Sequence, residues 1–296
     1  MIAWWHVIRA LVKAGKTKGA AMEDSTKKMR IALVQFEGVL GDVEGNVAKA
    51  VGQIAEAAGN GADMVVFPEL FSTGYHLDTV GPKMTEYAAM DESTIEALSV
   101  AARENNCYVV AGIAMLHGLV GVPFNSAVFI DRTGEVQGSF DKVHLWALER
   151  FYFRSGDEFP VFETEFGKVG IIICYDLGFP EAARILALRG AELILCPSAW
   201  CVEDMDIWHT NVPCRALENT CFVAAVNRFG REGEDLYMPG HSMVCEPRGH
   251  RIAYVEEEAE AILYADIDFD EVRKNRMSSP YLRDRRPDTY DEVIYW

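Results

Sequence analysis

A thiol, a phenol and a carboxylate follow an apolar run in IIICYDLGFPE, the stretch from Ile171 to Glu181. Three consecutive isoleucines are typical of a buried β-strand, and Pro180 is typical of the first turn of a helix. Cys174 is therefore predicted to lie where a strand ends. Free cysteines are often small core residues, so this position by itself is open to a structural or a chemical interpretation.

A cysteine becomes a useful nucleophile when a base accepts its proton or a cation lowers the pKa of its thiol. Histidine is the usual base, but none of the 7 histidines stands at a predicted strand end or in a repeated position. Glu69 and Lys142 do follow strand-like segments, ADMVVFP and EVQGSF. A buried carboxylate could serve as the base, and a lysine could stabilise first the thiolate and then the oxyanion of a tetrahedral intermediate.

The other cysteines and histidines do not predict a metal site. The 7 cysteines are irregularly spaced, with Cys196 and Cys201 as the closest pair. His209 and Cys214 are five residues apart, but no second pair at ligand spacing accompanies them. We expect no metal and no organic cofactor. An odd number of cysteines makes a poor disulfide framework, which favours a reduced, cytoplasmic protein.

The elements that must position these residues occur twice along the chain, in the same order. The stretch ENNCYVVA at 104–111 corresponds to ENTCFVAA at 218–225, and Gly-Ala-Asp at 61–63 corresponds to Gly-Ala-Glu at 190–192. Both matches precede strand-like runs. Each half of the chain is therefore predicted to contain one β-α-β-α-β-β unit.

Two such units predict an α/β fold in which two sheets stack and helices cover their outer faces, a four-layer αββα sandwich forming one compact domain. The nearly all-apolar strands fit burial on both faces. Pro197 is expected to end a strand, and Pro213 to kink a helix or move its start. Sites in open α/β units gather beyond the carboxyl ends of strands, so we expect the thiol, acid and base to converge.

Three motifs resemble those of the nitrilase superfamily, the carbon–nitrogen hydrolases, and favour its amidase and carbamoylase branch. FPELFSTGY (67–75), DKVHLW (141–146) and CYDLGFPEAAR (174–184) are similar to that family's glutamate, lysine and cysteine motifs, in the same order. The resemblance covers residues 29–290 approximately, which is nearly the whole chain.

This resemblance implies a role for each motif residue. Glu69 would be the general base, Lys142 the oxyanion stabiliser and Cys174 the nucleophile that forms a thioester. Glu149, in LERFYFRSG, would position the substrate amide or the water. The backbone N–H of Tyr175 would be a second oxyanion donor.

The implied reaction is hydrolysis of a small amide or N-carbamoyl compound with release of ammonia and without a cofactor. Candidate substrates are aliphatic amides, ω-amides of dicarboxylic acids and N-carbamoyl amines. Two alternatives remain, a nitrilase that converts a nitrile to carboxylate and ammonia, and a non-catalytic scaffold of the same fold. Cys174 is followed by Tyr-Asp, where true nitrilases tend to have Trp-Glu, and this favours the amide.

Four aromatic residues are predicted to line an apolar substrate pocket, although core packing is an equally good interpretation of each. They are Tyr75, Trp146, Tyr175 and Trp200. The weakly charged surroundings of these aromatic residues suggest that part of the substrate is uncharged.

Charge and the two chain ends complete the prediction. A net charge of -17 argues against nucleic acid and anionic membranes as partners. Residues 1–28 are basic and partly apolar, but Arg9 and Lys13 interrupt them, so they are too short a run to span a membrane. We interpret 1–28 as an N-terminal extension before a single domain at 29–296. The aromatic and polar tail YLRDRRPDTYDEVIYW predicts a homodimer or a higher homo-oligomer.

Overall fold

The computed structural model describes residues 28–117 and 121–295. The predicted extension at 1–28 lies outside the described residues except for Lys28, and Trp296 of the C-terminal tail also lies outside them. Lys28 is the first residue of the first strand, one position before the predicted domain start at Met29.

The strands, in chain order, are β1 (Lys28–Gln35), β2 (Met64–Val66), β3 (Tyr108–Met115), β4 (Phe124–Ile130), β5 (Val136–Asp141), β6 (Val161–Glu163), β7 (Lys168–Ile171), β8 (Leu193–Ser198), β9 (Phe222–Asn227), β10 (Phe229–Glu232), β11 (Leu236–Pro239), β12 (Met243–Cys245), β13 (Arg251–Tyr254) and β14 (Ala261–Asp268). The helices are α1 (Val43–Gly59), α2 (Leu77–Val80), α3 (Met84–Ala88), α4 (Asp91–Asn105), α5 (Glu149–Tyr152), α6 (Pro180–Leu188), α7 (Met205–Asn219), α8 (Phe269–Ser278) and α9 (Asp291–Tyr295).

Most of the strands form two six-stranded sheets of matching design. The first has the order β14-β1-β2-β3-β4-β5 and the second the order β13-β12-β9-β8-β7-β6. Three inner strands of each sheet are parallel, and the flanking strands pair with them in antiparallel fashion. Each half of the chain contributes its last strand, β6 or β14, to the sheet of the other half. This exchange links the two repeats through their sheets.

The inner faces of the two sheets share one hydrophobic core. Ile31, Leu33 and Val66 of the first sheet belong to the same buried cluster as Leu193 and Leu195 of the second. Helices α1 and α4 pack on the outer face of the first sheet, and α6 and α7 pack on that of the second. The predicted four-layer αββα sandwich is confirmed.

Two prolines sit within regular elements. The prediction that Pro197 ends its strand is wrong, because β8 continues to Ser198. The pairing of β7 with β8 stops at Leu195, so β7 has already turned away where the missing N–H of Pro197 would have pointed. Pro213 lies inside α7 and does not move the start of that helix at Met205.

The hairpin formed by β10 and β11 was not predicted from the sequence. It is inserted between β9 and β12 and belongs to neither large sheet. Its strands have only four residues each, too few for a clear alternating pattern. Leu236 of this hairpin borders the cavity described below.

Candidate active site

Glu69 follows β2 and is completely buried. Its Oε1 accepts hydrogen bonds from Lys142 Nζ at 2.7 Å and from Asn125 Nδ2 at 2.6 Å. Its Oε2 accepts a hydrogen bond from the backbone N–H of Ala199 at 2.9 Å. Three donors from three separate parts of the chain therefore orient this carboxylate.

Lys142 follows β5 and is also completely buried. Its ammonium contacts two carboxylates, Glu69 Oε1 at 2.7 Å and Glu149 Oε1 at 2.6 Å. Burial alone would lower the pKa of Lys142, but the charges of Glu149 and Glu69 outweigh burial and raise it well above its ordinary value. The site therefore holds a charged ammonium.

Glu149 begins the short helix α5, and no part of its side chain is exposed. Its Oε1 also accepts a hydrogen bond from the Tyr75 hydroxyl at 2.6 Å, and its Oε2 accepts one from the backbone N–H of Trp146 at 2.7 Å. Burial and the nearby charge of Glu69 raise the pKa of Glu149, although Lys142 opposes them. When both carboxylates are ionised, the network of Glu69, Lys142 and Glu149 has one more negative than positive charge.

Cys174 begins a 3₁₀ turn, Cys174–Gly178, just beyond β7. Its φ of 45° is in the left-handed region, which residues other than glycine seldom adopt and which costs on the order of 1 kcal/mol. Burial and the Glu69 carboxylate raise the pKa of the Cys174 thiol well above its ordinary value, while Lys142 opposes this shift. The resting thiol is therefore protonated, and a base must remove its proton before it can act as a nucleophile.

Buried Arg215 of α7 supports the turn that carries Cys174. It donates from Nε to the Leu177 carbonyl at 2.9 Å and from Nη2 to the Gly178 carbonyl at 3.2 Å. These carbonyls end the turn, and charged donors make comparatively strong hydrogen bonds. The guanidinium therefore helps to hold the strained turn in place.

Asp176 connects the cysteine motif to the lysine motif. Its Oδ2 accepts a hydrogen bond from the Ile173 N–H at 3.0 Å, and its Oδ1 accepts one from the His144 N–H at 2.9 Å. The His144 ring Nδ1 also lies 2.7 Å from Oδ1. Both oxygens of this buried carboxylate are thus used within the protein.

A cavity of about 170 Å³ opens beside Cys174. The four aromatic residues predicted for the substrate pocket, Tyr75, Trp146, Tyr175 and Trp200, all border it. Trp146 is 44% exposed, which places it at the mouth, whereas Trp200 is nearly buried. The structure therefore brings the predicted nucleophile and the predicted pocket residues together.

Asn125, the buried residue of β4 whose amide contacts Glu69, was not predicted from the sequence. A polar pair, Asn125 and Ser126, at the start of an apolar strand was a signal that could have drawn attention to it. Arg228 was not predicted either. Its Nη1 donates to the Leu70 carbonyl at 2.8 Å and so supports the loop after Glu69.

The described part of the chain consists of residues 28–117 and 121–295. In that part of the chain, no group of three or more His, Cys, Asp or Glu side chains is placed to hold a metal ion. Over the same ranges, every helix is too short or too polar to cross a lipid bilayer.

A family comparison identifies the kind of protein. The sequence model described as carbon-nitrogen hydrolase matches residues 30–277. The chain belongs to the carbon–nitrogen hydrolase family. It is an amidase-type carbon–nitrogen hydrolase of the nitrilase superfamily, as its motifs predicted.

Individual relatives are similar in sequence to this chain over nearly their whole length. This hydrolase is 36% identical to a nitrilase of Pyrococcus abyssi, over 88% of this chain and 99% of that protein. It is 31% identical to an N-carbamoylputrescine amidase of Solanum tuberosum, over 92% of this chain and 97% of that protein.

Solved structures of this superfamily share the fold of this hydrolase. A carbon-nitrogen hydrolase from Helicobacter pylori superposes with a TM-score of 0.87 at 27% identity, covering 92% of this chain and 99% of that one. A mutant of the amidase from Nesterenkonia sp. AN1 superposes with a TM-score of 0.80 at 28% identity, covering 93% and 99%. In that structure the acetamide moiety of fluoroacetamide is covalently attached to the active-site cysteine.

Proposed function

We propose that this hydrolase cleaves a small amide or N-carbamoyl compound and releases ammonia through a thioester on Cys174. The observation that carries the proposal is the buried network in which Lys142 Nζ contacts both Glu69 and Glu149, behind a cavity bordered by Cys174. Such a network supplies a base, a cation and a nucleophile without a metal.

Acylation begins with proton transfer from Cys174 to Glu69. The sulfur attacks the carbonyl carbon, a carbon–sulfur bond forms and the electrons of the carbonyl π bond move to oxygen. The Lys142 ammonium and the Tyr175 N–H stabilise this oxyanion, and one well-placed donor of this kind contributes roughly 3–4 kcal/mol. Protonated Glu69 then gives its proton to the nitrogen, the carbon–nitrogen bond breaks and ammonia leaves.

Deacylation uses the same groups in reverse order. Glu69 accepts a proton from water, and the resulting hydroxide attacks the thioester carbon. The second oxyanion collapses, the carbon–sulfur bond breaks and the sulfur recovers its proton from Glu69. The product is a carboxylic acid from an amide, or a carbamic acid that loses carbon dioxide from an N-carbamoyl amine. In this scheme Glu149 orients Lys142 and the attacking water.

Two kinds of relative support an amide or carbamoyl substrate in preference to a nitrile. One relative is named for an N-carbamoyl amine, and a superposed amidase carries the acetamide moiety of fluoroacetamide on its active-site cysteine. Tyr175 and Asp176, which follow the cysteine, also favour an amide over a nitrile. Another relative is named nitrilase, so the test must include a nitrile.

The deciding experiment compares kcat/KM for ammonia release from an aliphatic amide, an N-carbamoyl amine and a nitrile of equal chain length. We expect the amide or the carbamoyl compound to be the best substrate, and Cys174→Ala to be inactive but folded. Preferential turnover of the nitrile would replace this proposal with a nitrilase. Near-normal turnover by Cys174→Ala would remove the thioester from the mechanism.

We also propose that the hydrolase forms a homodimer through its C-terminal segment. Tyr281 and Tyr290 border a groove with Arg184 and Leu217 of α6 and α7. Leu217 and both tyrosines are more than one third exposed. Exposed aromatic and apolar side chains beside charged residues, here Glu218, Asp284 and Arg285, are typical of a contact with a second subunit.

A further inference from the structure

The cavity beside Cys174 contains a carboxylate that the proposed mechanism does not use. Asp204 is the one charged residue among the described residues that border this cavity. Its other borders include the aromatic residues Trp146, Tyr175 and Trp200 and the aliphatic residue Ile207. Asp204 is half-buried, so an ion near it would be only partly screened by water.

Asp204 makes few contacts through its carboxylate within the described part of the chain. It immediately precedes α7, but its side chain makes no hydrogen bond that caps the helix. Among the described residues, its side chain accepts a hydrogen bond from the Cys201 thiol, a weak donor 3.8 Å from Oδ2. Its backbone carbonyl accepts a hydrogen bond from Trp200 Nε1 at 2.8 Å, and this contact fixes the turn beside the cavity wall.

The charged groups behind the cavity also favour a cationic ligand over an anionic one. Glu69 and Glu149 share the single ammonium of Lys142, so these three groups carry a formal charge of about −1 when both carboxylates are ionised. No lysine, arginine or histidine is among the described residues that border the cavity. A substrate carboxylate would therefore meet like charge without a counter-ion, whereas a cation would be attracted.

We propose that the substrate carries a cationic amine at the end remote from the scissile carbon–nitrogen bond, and that Asp204 binds this amine. This inference rests on the proposed amide or carbamoyl hydrolysis and narrows its substrate class. The aromatic faces at the cavity add cation–π attraction, and an uncharged alkyl chain would lie between the two ends of the substrate. The ω-amides of dicarboxylic acids, one of the candidate classes, are disfavoured by the same charges.

Three alkylureas of equal length, ending in an ammonium, a methyl or a carboxylate group, test this preference. The parent enzyme should show the highest kcat/KM for the ammonium compound and the lowest for the carboxylate. Asp204→Asn, which keeps the shape and removes the charge, should lower kcat/KM for the ammonium compound about tenfold and leave the methyl compound within about twofold. Asp206→Asn is the matched control, because this exposed acid on α7 does not border the cavity. Its loss should leave kcat/KM unchanged for both the ammonium and the methyl compound.

Binding to the inactive Cys174→Ala protein separates this inference from the proposed reaction. Calorimetry should give a lower Kd for the ammonium compound than for its methyl analogue, and Asp204→Asn in the same background should abolish the difference. If none of the three ureas or the matching amides is hydrolysed but the Asp204-dependent binding difference is present, the reaction is wrong and the amine site stands. Equal binding of the three compounds, or a preference that survives Asp204→Asn, overturns the assignment of Asp204.

Discussion

At the residue scale, the unusual feature is one buried cation shared by two buried carboxylates. Lys142, Glu69 and Glu149 are all completely inaccessible to solvent. Removing ions from water is costly, and the cost is recovered only when good geometry and further hydrogen bonds accompany the pair. Asn125, Ala199 and Tyr75 supply such bonds to the carboxylates. Each charge in this network therefore depends on the others.

Lys142→Met should lower kcat at least about a hundredfold, because it removes an oxyanion donor while keeping a side chain of similar length. It also leaves two carboxylates without their cation, and breaking a buried pair in this way costs roughly 3–5 kcal/mol of unfolding free energy. The double variant Lys142→Met/Glu149→Gln is the control. It should recover part of the lost stability but none of the activity.

The free energy of unfolding of the Lys142→Met variant should also depend on pH, and it should fall as pH rises. Burial and the charge of Glu69 already raise the pKa of Glu149, and losing Lys142 removes the group that opposes this shift. The folded variant then binds more protons than the unfolded chain above the ordinary pKa of a glutamate, so its stability falls as pH rises. Urea unfolding should give a higher free energy at pH 5 than at pH 8. A kcat within tenfold of the parent, or no loss of stability, would contradict the assigned role.

At the element scale, strand ends bring the candidate catalytic residues together. Glu69 and Lys142 follow β2 and β5 of the first sheet, and Cys174 follows β7 of the second. Loops at strand ends can hold unusual backbone angles while the sheets remain regular, as the φ of Cys174 illustrates. The rigid sandwich thus positions a strained turn.

A chain starting at Met29 should keep the fold, the thermal midpoint and the activity. It shortens β1 only by Lys28, whose ammonium lies 3.7 Å from the Asp268 carboxylate in an exposed pair. Exposed pairs of this kind contribute little to stability. Thermal unfolding and ammonia release, compared with the full chain, provide the measurement. An insoluble or inactive product would mean that the segment before Met29 packs on the domain.

At the scale of the whole molecule, three thiols are buried in the second sheet or directly before one of its strands. Cys196, Cys221 and Cys245 are completely buried, and burial raises the pKa of each of them to about 12. The unfolded chain would ionise these thiols at lower pH than the folded protein does. Alkaline conditions therefore favour the unfolded chain.

The free energy of unfolding should fall between pH 8 and pH 10 by about 1.5 kcal/mol for each of these thiols. The sign follows from proton binding, because the folded state retains protons that the unfolded state loses in this range. Urea titrations in the presence of a reductant measure the effect. Cys245→Ala is the control and should reduce the decrease by about one thiol's share, whereas an unchanged decrease would show that other groups cause it.

Subunit association is the second property at this scale. Light scattering at micromolar concentration should give about twice the chain mass of 33.0 kDa. Deleting the segment from Ser279 onward should lower that mass, because it removes Tyr281 and Tyr290 from the groove beside α6 and α7. A monomer mass for the intact protein would contradict the proposed homodimer.

The sequence determined the features that depend on local pattern. Repeated strand and helix signals predicted the two halves and the sandwich, because apolar periodicity and breaker residues act over short distances. Strand-end positions and three motifs were sufficient to select Glu69, Lys142 and Cys174, and pattern alone also selected the aromatic residues that border the cavity.

Only the tertiary structure decided how distant segments meet. Asn125 contacts Glu69 from 56 positions away, and the exchange of β6 and β14 joins opposite halves of the chain. Pro197 stays inside β8 because β7 turns away beside it. The local sequence around Pro197 does not indicate where β7 turns away. Asp204 likewise differs from other acids near helix starts only because α7 begins beside the cavity. These features follow from packing the whole chain at once, in which burial and long-range hydrogen bonds select among arrangements that the local pattern allows equally.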